Sequence, residues 1–330
     1  MALRPALAAL MVLSAAGCGA DAPEAPRMQA EPVALFPDDP GRRGLGALRY
    51  AGGLALTSDN ALFGGWSAME VSEDGSRLLA ISDSAAWMTA RLVFDEAGDL
   101  TGLTDVVITP MLDTDGAPLS GERADAEGLA PLGDGRYAVS FERDHRITVY
   151  EIGEDWSQVE TATPSSFPGL PGADRLRANA GAEALARMGD QLFAGIEHPI
   201  VDGQPNTLWR YDLSRLDTPP RSAAVTLTPG FGLTGLTEDG EGGLLVVERF
   251  WARDVGNRIV LGRLSAEALS EPENILAPEP LARLKPDMTV DNFEAVSLAQ
   301  INGDRRILIL SDDNFNDAQR TLLLTFAWPD

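Results

Sequence analysis

The sequence predicts an all-β fold, a β-propeller with five blades favoured over the alternative count of six, its ring closed by an N-terminal strand. Three observations predict it: a five-fold internal repeat, several short strand-like runs in each copy, and one strand-like segment near the front that no copy claims.

The chain has 330 residues, 44% of them hydrophobic and 23% charged, a globular composition with enough apolar side chains for a large core. It begins MALRPALAALMVLSAAGCGA, with Arg4 ahead of an apolar stretch and small residues around Cys18. Residues 1–20 therefore read as an export signal, too short to stay as a membrane span. Ala15-Ala16-Gly17-Cys18 resembles a bacterial lipobox with Cys18 as the lipidated residue, although Ala15 stands where Leu is usual. Ordinary cleavage after Ala20 is the other reading. The expected location is the periplasm or outer membrane as a lipoprotein, otherwise secretion, with membrane contact only through the anchor. Cys18 is the only cysteine, so disulfides play no part in the mature fold. Residues 21–43, opening DAPEAPRMQAEPV, read as a tether, and 44–330 as one domain.

Within that domain LGALRYAGGLALTS (45–58) is strand-like but belongs to no repeat, and is expected to complete the last blade. The repeats follow as GGWSAMEVSEDGSRLLAISD (64–83), DAEGLAPLGDGRYAVSFE (125–142), AGAEALARMGDQLFAGIE (180–197), GLTGLTEDGEGGLLVVE (232–248) and DNFEAVSLAQINGDRRILILSDDNF (291–315). Each reads as strand, tight Gly/Asp turn, strand. A third run comes next, such as TARLVF (89–94) or RTLLLTFAW (320–328), and a weaker fourth follows in the first four copies, such as LTDVVITPML (103–112). The apolar anchors Met69, Leu129, Leu185, Leu236 and Val296 recur at intervals of 60, 56, 51 and 60 residues, a blade-length period. RLSAEALSEPE is the stretch where helix competes with this reading.

Aligned, the repeats yield two columns of residues. The first reads Ser67, Glu127, Glu183, Thr234 and Glu294, on the innermost strands beside the channel; the second, at the end of each second strand, reads Asp83, Glu142, Glu197, Glu248 and Asp312. The second is acidic throughout. One reading makes these carboxylates acceptors for backbone N–H groups of a neighbouring blade's loop. In either case their mutual repulsion demands positive charge. Arg143 and Arg249 follow two of them directly, and calcium, which takes several hard oxygen ligands, is the other source. The run Asp312-Asp313-Asn314-Phe315-Asn316-Asp317 is rich in such oxygens, but it lacks the Gly and Glu of an EF-hand.

Several function classes are excluded. With 50 acidic and 26 basic residues the formal charge is -24, which leaves no basic footprint for nucleic acid. Two histidines, His145 and His198, do not suggest zinc, and neither a nucleophile elbow nor a P-loop occurs. A monomer acting on or binding a small molecule is expected.

GGWSAM (64–69), DAEGLA (125–130), AGAEALA (180–186), LVVER (245–249), DNFEAV (291–296) and above all SDDNFNDAQRTLLLTF (311–326) resemble the phytase-like propeller family described as esterase-like activity of phytase. The resemblance runs from about residue 44 to the end and implies a secreted bacterial propeller that hydrolyses esters or phosphoesters. In calcium-dependent propeller phytases carboxylates hold calcium ions that bind phosphate and activate water. Carried over, this implies metal ligation by the second column, Asp83, Glu142, Glu197, Glu248 and Asp312, and substrate contacts from Arg143 and Arg249; Asp313 in the oxygen-rich loop is a further metal candidate, His198 a further substrate contact, and Glu127, Glu183 and Glu294 are the channel carboxylates of the first column. The catalytic residue is left unassigned. Lys285 is the only lysine, so a highly phosphorylated substrate fits the charge less well than a smaller phosphoester or a lactone. A calcium-dependent lactonase and a non-enzymatic, lipid-tethered propeller binding a ligand or protein at its mouth are the two alternatives.

Overall fold

The computed structural model describes residues 27–271 and 275–329. Four-stranded antiparallel sheets follow one another along the chain: Trp66–Val71, Arg77–Ser82, Ala86–Phe94 and Leu100–Pro110 form the first blade. The second blade is Ala126–Gly133, Arg136–Phe141, Arg146–Glu151 and Pro164–Ser166; the third is Ala182–Met188, Gln191–Ile196, Asn206–Asp212 and Arg221–Val225. Gly232–Glu238, Leu244–Ala252, Gly256–Leu264 and Glu279–Leu284 make the fourth. The fifth has three strands of its own, Asn292–Ile301, Asp304–Asp312 and Thr321–Ala327, and takes its fourth from the N-terminal side.

That fourth strand is Leu48–Ser58, which pairs antiparallel with Thr321–Ala327 in a register that sets Leu54 opposite Leu323. The ring is thus a five-bladed propeller closed by the expected N-terminal strand. Closure of this kind gives the last blade a partner for its third strand and removes an open edge. A helix is realised only over Ala266–Ser270 within RLSAEALSEPE, where Ser265 Oγ accepts the Ala268 N–H.

The tether expected over 21–43 is corrected from Met28 onward. Met28–Pro32 pairs antiparallel with Leu48–Ser58 as a fifth strand, and Leu35 and Phe36 are buried in the core between the fourth and fifth blades. The Pro- and Glu-rich composition hid the alternation in which Met28 and Ala30 face the core while Gln29 and Glu31 face outward. The export signal, Cys18 and residues 21–26 lie outside the described residues.

The hydrophobic core divides into five clusters, each between two adjacent blades, and each of the five anchors stands in a different one. Burial here comes from blade packed on blade, the way a propeller fills its interior without a central layer. The residue just before each anchor is small: Ala68, Gly128, Ala184, Gly235 and Ala295. A Cβ on Gly128 would lie 2.9 Å from the Leu185 side chain, and one on Gly235 would lie 2.3 Å from the Glu294 carbonyl oxygen. Small residues there let the inner strands approach. As a result the axial space lined by the inner strands is narrow, about 10 Å³.

Candidate functional site

All five inner strands carry a register shift at their start, between Trp66 and Ala68, Ala126 and Leu129, Ala182 and Ala184, Leu233 and Gly235, and Phe293 and Ala295. The residue that each bulge adds belongs to the first column: Ser67, Glu127, Glu183, Thr234 or Glu294. A bulge releases its extra residue from the ladder and turns its side chain, so the column leaves the sheet and faces the axis. The second column lies next to it, because each second strand ends opposite the start of its inner strand. In the second, third and fifth blades this sets carboxylate beside carboxylate.

Burial dominates the electrostatics. It pushes Glu127 well above the usual carboxylate range, helped by the charges of Glu294, Asp125, Glu142 and Asp83. Glu183 rises likewise through burial and then Glu127, Glu142 and Glu197. Burial raises Glu142 as well, so the Glu142–Glu183 pair shares a proton. Glu294 is pushed up to about 8 by burial, against the opposing pull of Arg249. Asp83 is raised to about 7 by burial and by Asp312, Asp125 and Asp313, and Asp312 to about 6 by burial.

The expected metal ligands separate into groups. Glu142 Oε1 accepts the Gly181 N–H at 2.7 Å, and Glu248 Oε2 accepts the Thr228 N–H at 2.7 Å. Asp313 Oδ1 accepts from the Gly65 and Phe315 N–H groups and its Oδ2 from the Thr321 hydroxyl, so it ties the fifth blade to the first. Glu142, Glu248 and Asp313 therefore each accept loop N–H groups, and both oxygens of Asp313 are engaged. Glu197 is bound by Arg249 at 2.8 Å on Oε1, with His198 Nε2 3.4 Å from Oε2. Asp312 accepts from the Asn314 N–H and from Asn292 Nδ2. Asp83 differs from all of these, because its Oδ1 is buried and accepts no hydrogen bond.

The two arginines are spoken for. Arg249 bonds Asn292 Oδ1 and Glu197 and lies 3.6 Å from Glu294 Oε1. Burial opposes its charge, but Glu294, Glu197 and Glu183 outweigh that and raise its pKa. Arg143 sits on the rim with its Nε 2.6 Å from Asp125 Oδ2, and His198 is also exposed there.

Sequence alignment passed over two residues. Asp125 lies outside both columns, yet one oxygen each of Asp125, Glu127 and Glu142 can all be found within 4.8 Å of one another. Asn292 links Glu294, at 2.8 Å, to Asp312 and Arg249. The available signal was spacing: Asp125 and Asn292 each precede a first-column Glu by two residues, in DAEGLA and DNFEAV.

A model of the phytase-like family, described as esterase-like activity of phytase, matches residues 61–315. Among solved structures the chain is similar to the catalytic domain of a GH62 α-L-arabinofuranosidase from Coprinopsis cinerea, with 14% identity over 86% of this chain and 97% of that one and a TM-score of 0.50. A GH43_1 enzyme from Xanthomonas citri gives 11% identity over 80% and 88% of the two chains, with a TM-score of 0.45. The calcium-binding protein regucalcin from Agrobacterium tumefaciens gives 10% identity over 80% and 91%, with a TM-score of 0.41. At these identities the likeness is one of fold. No curated protein matches the sequence.

Proposed function

The chain belongs to the phytase-like family, esterase-like activity of phytase, and from that premise we propose that it is a propeller hydrolase cleaving ester or phosphoester bonds at its acidic mouth with the help of a calcium ion. The observation that carries this reading is the convergence of Asp125, Glu127 and Glu142, with one oxygen from each within 4.8 Å of the others. Such a donor set is all hard oxygen, the chemistry calcium prefers. Asp83 Oδ1, buried and without a donor, is a fourth oxygen in the same field, since Asp125 is among the charges that raise its pKa. Bound there, a divalent cation supplies Lewis-acid polarisation of the scissile group and acidifies water.

The protein's own groups divide the remaining work. Glu294 Oε1 accepts from Asn292 and faces Arg249, so the proton it retains up to about pH 8 sits on Oε2, available to a leaving oxygen. Asp83, raised to about 7 by burial and by its acidic neighbours, adds its charge to the cluster near neutral pH, where a cation would offset it. Arg249 keeps Glu197 and Glu294 in position and adds a fixed positive charge beside the reacting group. Export, expected from residues 1–20, would deliver the protein to a calcium-rich compartment.

Calcium titration by calorimetry on the mature chain, with hydrolysis of phosphoesters, carboxyl esters and lactones measured alongside, tests the proposal. Glu127→Gln is expected to weaken calcium binding at least tenfold and to abolish turnover. Absence of calcium binding, or turnover that survives a chelator, overturns it. Calcium binding with every substrate class inert would leave a cation-dependent binding module instead of an enzyme.

A further inference from the structure

Beside the acidic mouth lies a cavity of about 800 Å³ between the fourth and fifth blades. One wall is the hairpin of Leu244–Ala252 and Gly256–Leu264, in which Trp251 and Asn257 are direct cross-strand partners. Arg249 precedes Trp251 by two residues and so shares its face of the strand. The facing wall is the loop after Asp304–Asp312, which contributes Asn314, Asn316, Gln319 and Arg320.

Three features of this lining define a ligand. Trp251 is 60% exposed, so the cavity has a large aromatic face with nothing of the described chain stacked on most of it. Asn257 Oδ1 is a buried acceptor without a donor, and Arg249 Nε is a buried donor without an acceptor. A hydroxyl group both donates and accepts, so a polyhydroxyl ligand can answer both. A phosphate, having only acceptor oxygens when ionised, would answer Arg249 and repel Asn257. The charge balance agrees: Arg249 is matched by Glu197 and Glu294, and Arg320 by Asp291 at 3.3 Å, so the lining cations carry no surplus for an anion.

We propose that this cavity binds an uncharged, sugar-like polyhydroxyl ring stacked on Trp251, and that this ring is the part of the substrate that carries the ester presented to the acidic mouth. The inference rests on the mouth being the reaction centre. Apolar C–H faces of such a ring match the indole, and its hydroxyls match the amides of the two walls.

The test is ligand-observed saturation-transfer NMR on the mature chain, using neutral methyl glycosides and, separately, inorganic phosphate, each with calcium and with chelator. The glycosides are expected to receive saturation in both conditions. Trp251→Ala is expected to weaken their binding about tenfold, a change of about 1.4 kcal/mol. Asn257→Leu is expected to reduce it as well, and thermal melts should confirm that both variants fold. Binding of phosphate without glycosides, absence of saturation transfer to any glycoside, or equal transfer in Trp251→Ala each overturn the proposal. Since glycoside binding is read in chelator too, a failed calcium titration leaves this result interpretable, and failure here leaves the calcium site standing.

Discussion

Replacing Asp83 by Asn should stabilise the protein in the absence of calcium, and by an amount that depends on pH. The folded-state pKa of Asp83 is about 7, against an ordinary value of 3.8. Both states are protonated at low pH, where the group costs nothing. As pH rises above the ordinary value the unfolded chain ionises first, so stability is lost until the pH passes the folded-state pKa, and then the loss levels off. At about 1.4 kcal/mol per pKa unit, the accumulated cost is about 2 kcal/mol at pH 5 and about 4 kcal/mol at pH 8. Any fixed cost of burying Asn cancels between the two conditions. In chelator, the advantage of Asp83→Asn over wild type should therefore be about 2–3 kcal/mol larger at pH 8 than at pH 5. Urea denaturation at both pH values measures it directly. Calcium should erase the advantage at pH 8 by stabilising the wild type, because the cation answers the same repulsion that raises the pKa. An advantage that is constant with pH, or that shrinks as pH rises, would refute the electrostatic account of the mouth.

Further outcomes follow from the same geometry. Gly235→Ala, whose Cβ would lie 2.3 Å from the Glu294 carbonyl oxygen, should cost about 3 kcal/mol in denaturant unfolding, whereas Gly41→Ala, with nothing within 4 Å, should stay within about 0.5 kcal/mol. Arg249→Met should cost about 3–5 kcal/mol at pH 8 by leaving buried carboxylates without their cation, and less at pH 5, where Glu294 can hold its proton; equal losses at the two pH values would contradict the pairing. Leu54→Ala, in the strand that closes the fifth blade, should cost about 2–5 kcal/mol, and a loss below 1 kcal/mol by the same measurement would show that the N-terminal strand is not integral to the ring.

Much of the fold was legible because a propeller blade is a local object. Strand, turn and strand within one blade are neighbours in sequence, so the alternation around Met69 or Leu185 and the Gly/Asp turns that follow suffice to phase the repeat. Even the closing strand could be located, since a blade short of one strand and a strand short of a blade define each other. Met28–Pro32 escaped because five residues of mixed composition acquire their meaning only from the strand they lie against. The two columns were likewise visible as repeated residue types, and the direction of the first is a consequence of the bulges. The place of Glu127 and Glu294 beside the channel was expected from the repeat, but nothing in a strand's periodicity reveals an extra residue, so the bulge that turns them there appears only when the two strands are paired.

By itself, then, the sequence determined the phase of the repeat, the manner of closure and the acidic character of one rim, and favoured five blades over six, all of which follows from short-range patterning of apolar, turn and carboxylate residues. Only the tertiary structure decided which carboxylates act together. Glu248 and Asp313 turn to loop N–H groups, Arg249 is claimed by Glu197 and Glu294, and Asp125 joins Glu127 and Glu142. The physical reason is that a carboxylate's role depends on the donors and charges within a few ångströms of it, and at the mouth of a propeller those arrive from different blades and from loops distant in the chain.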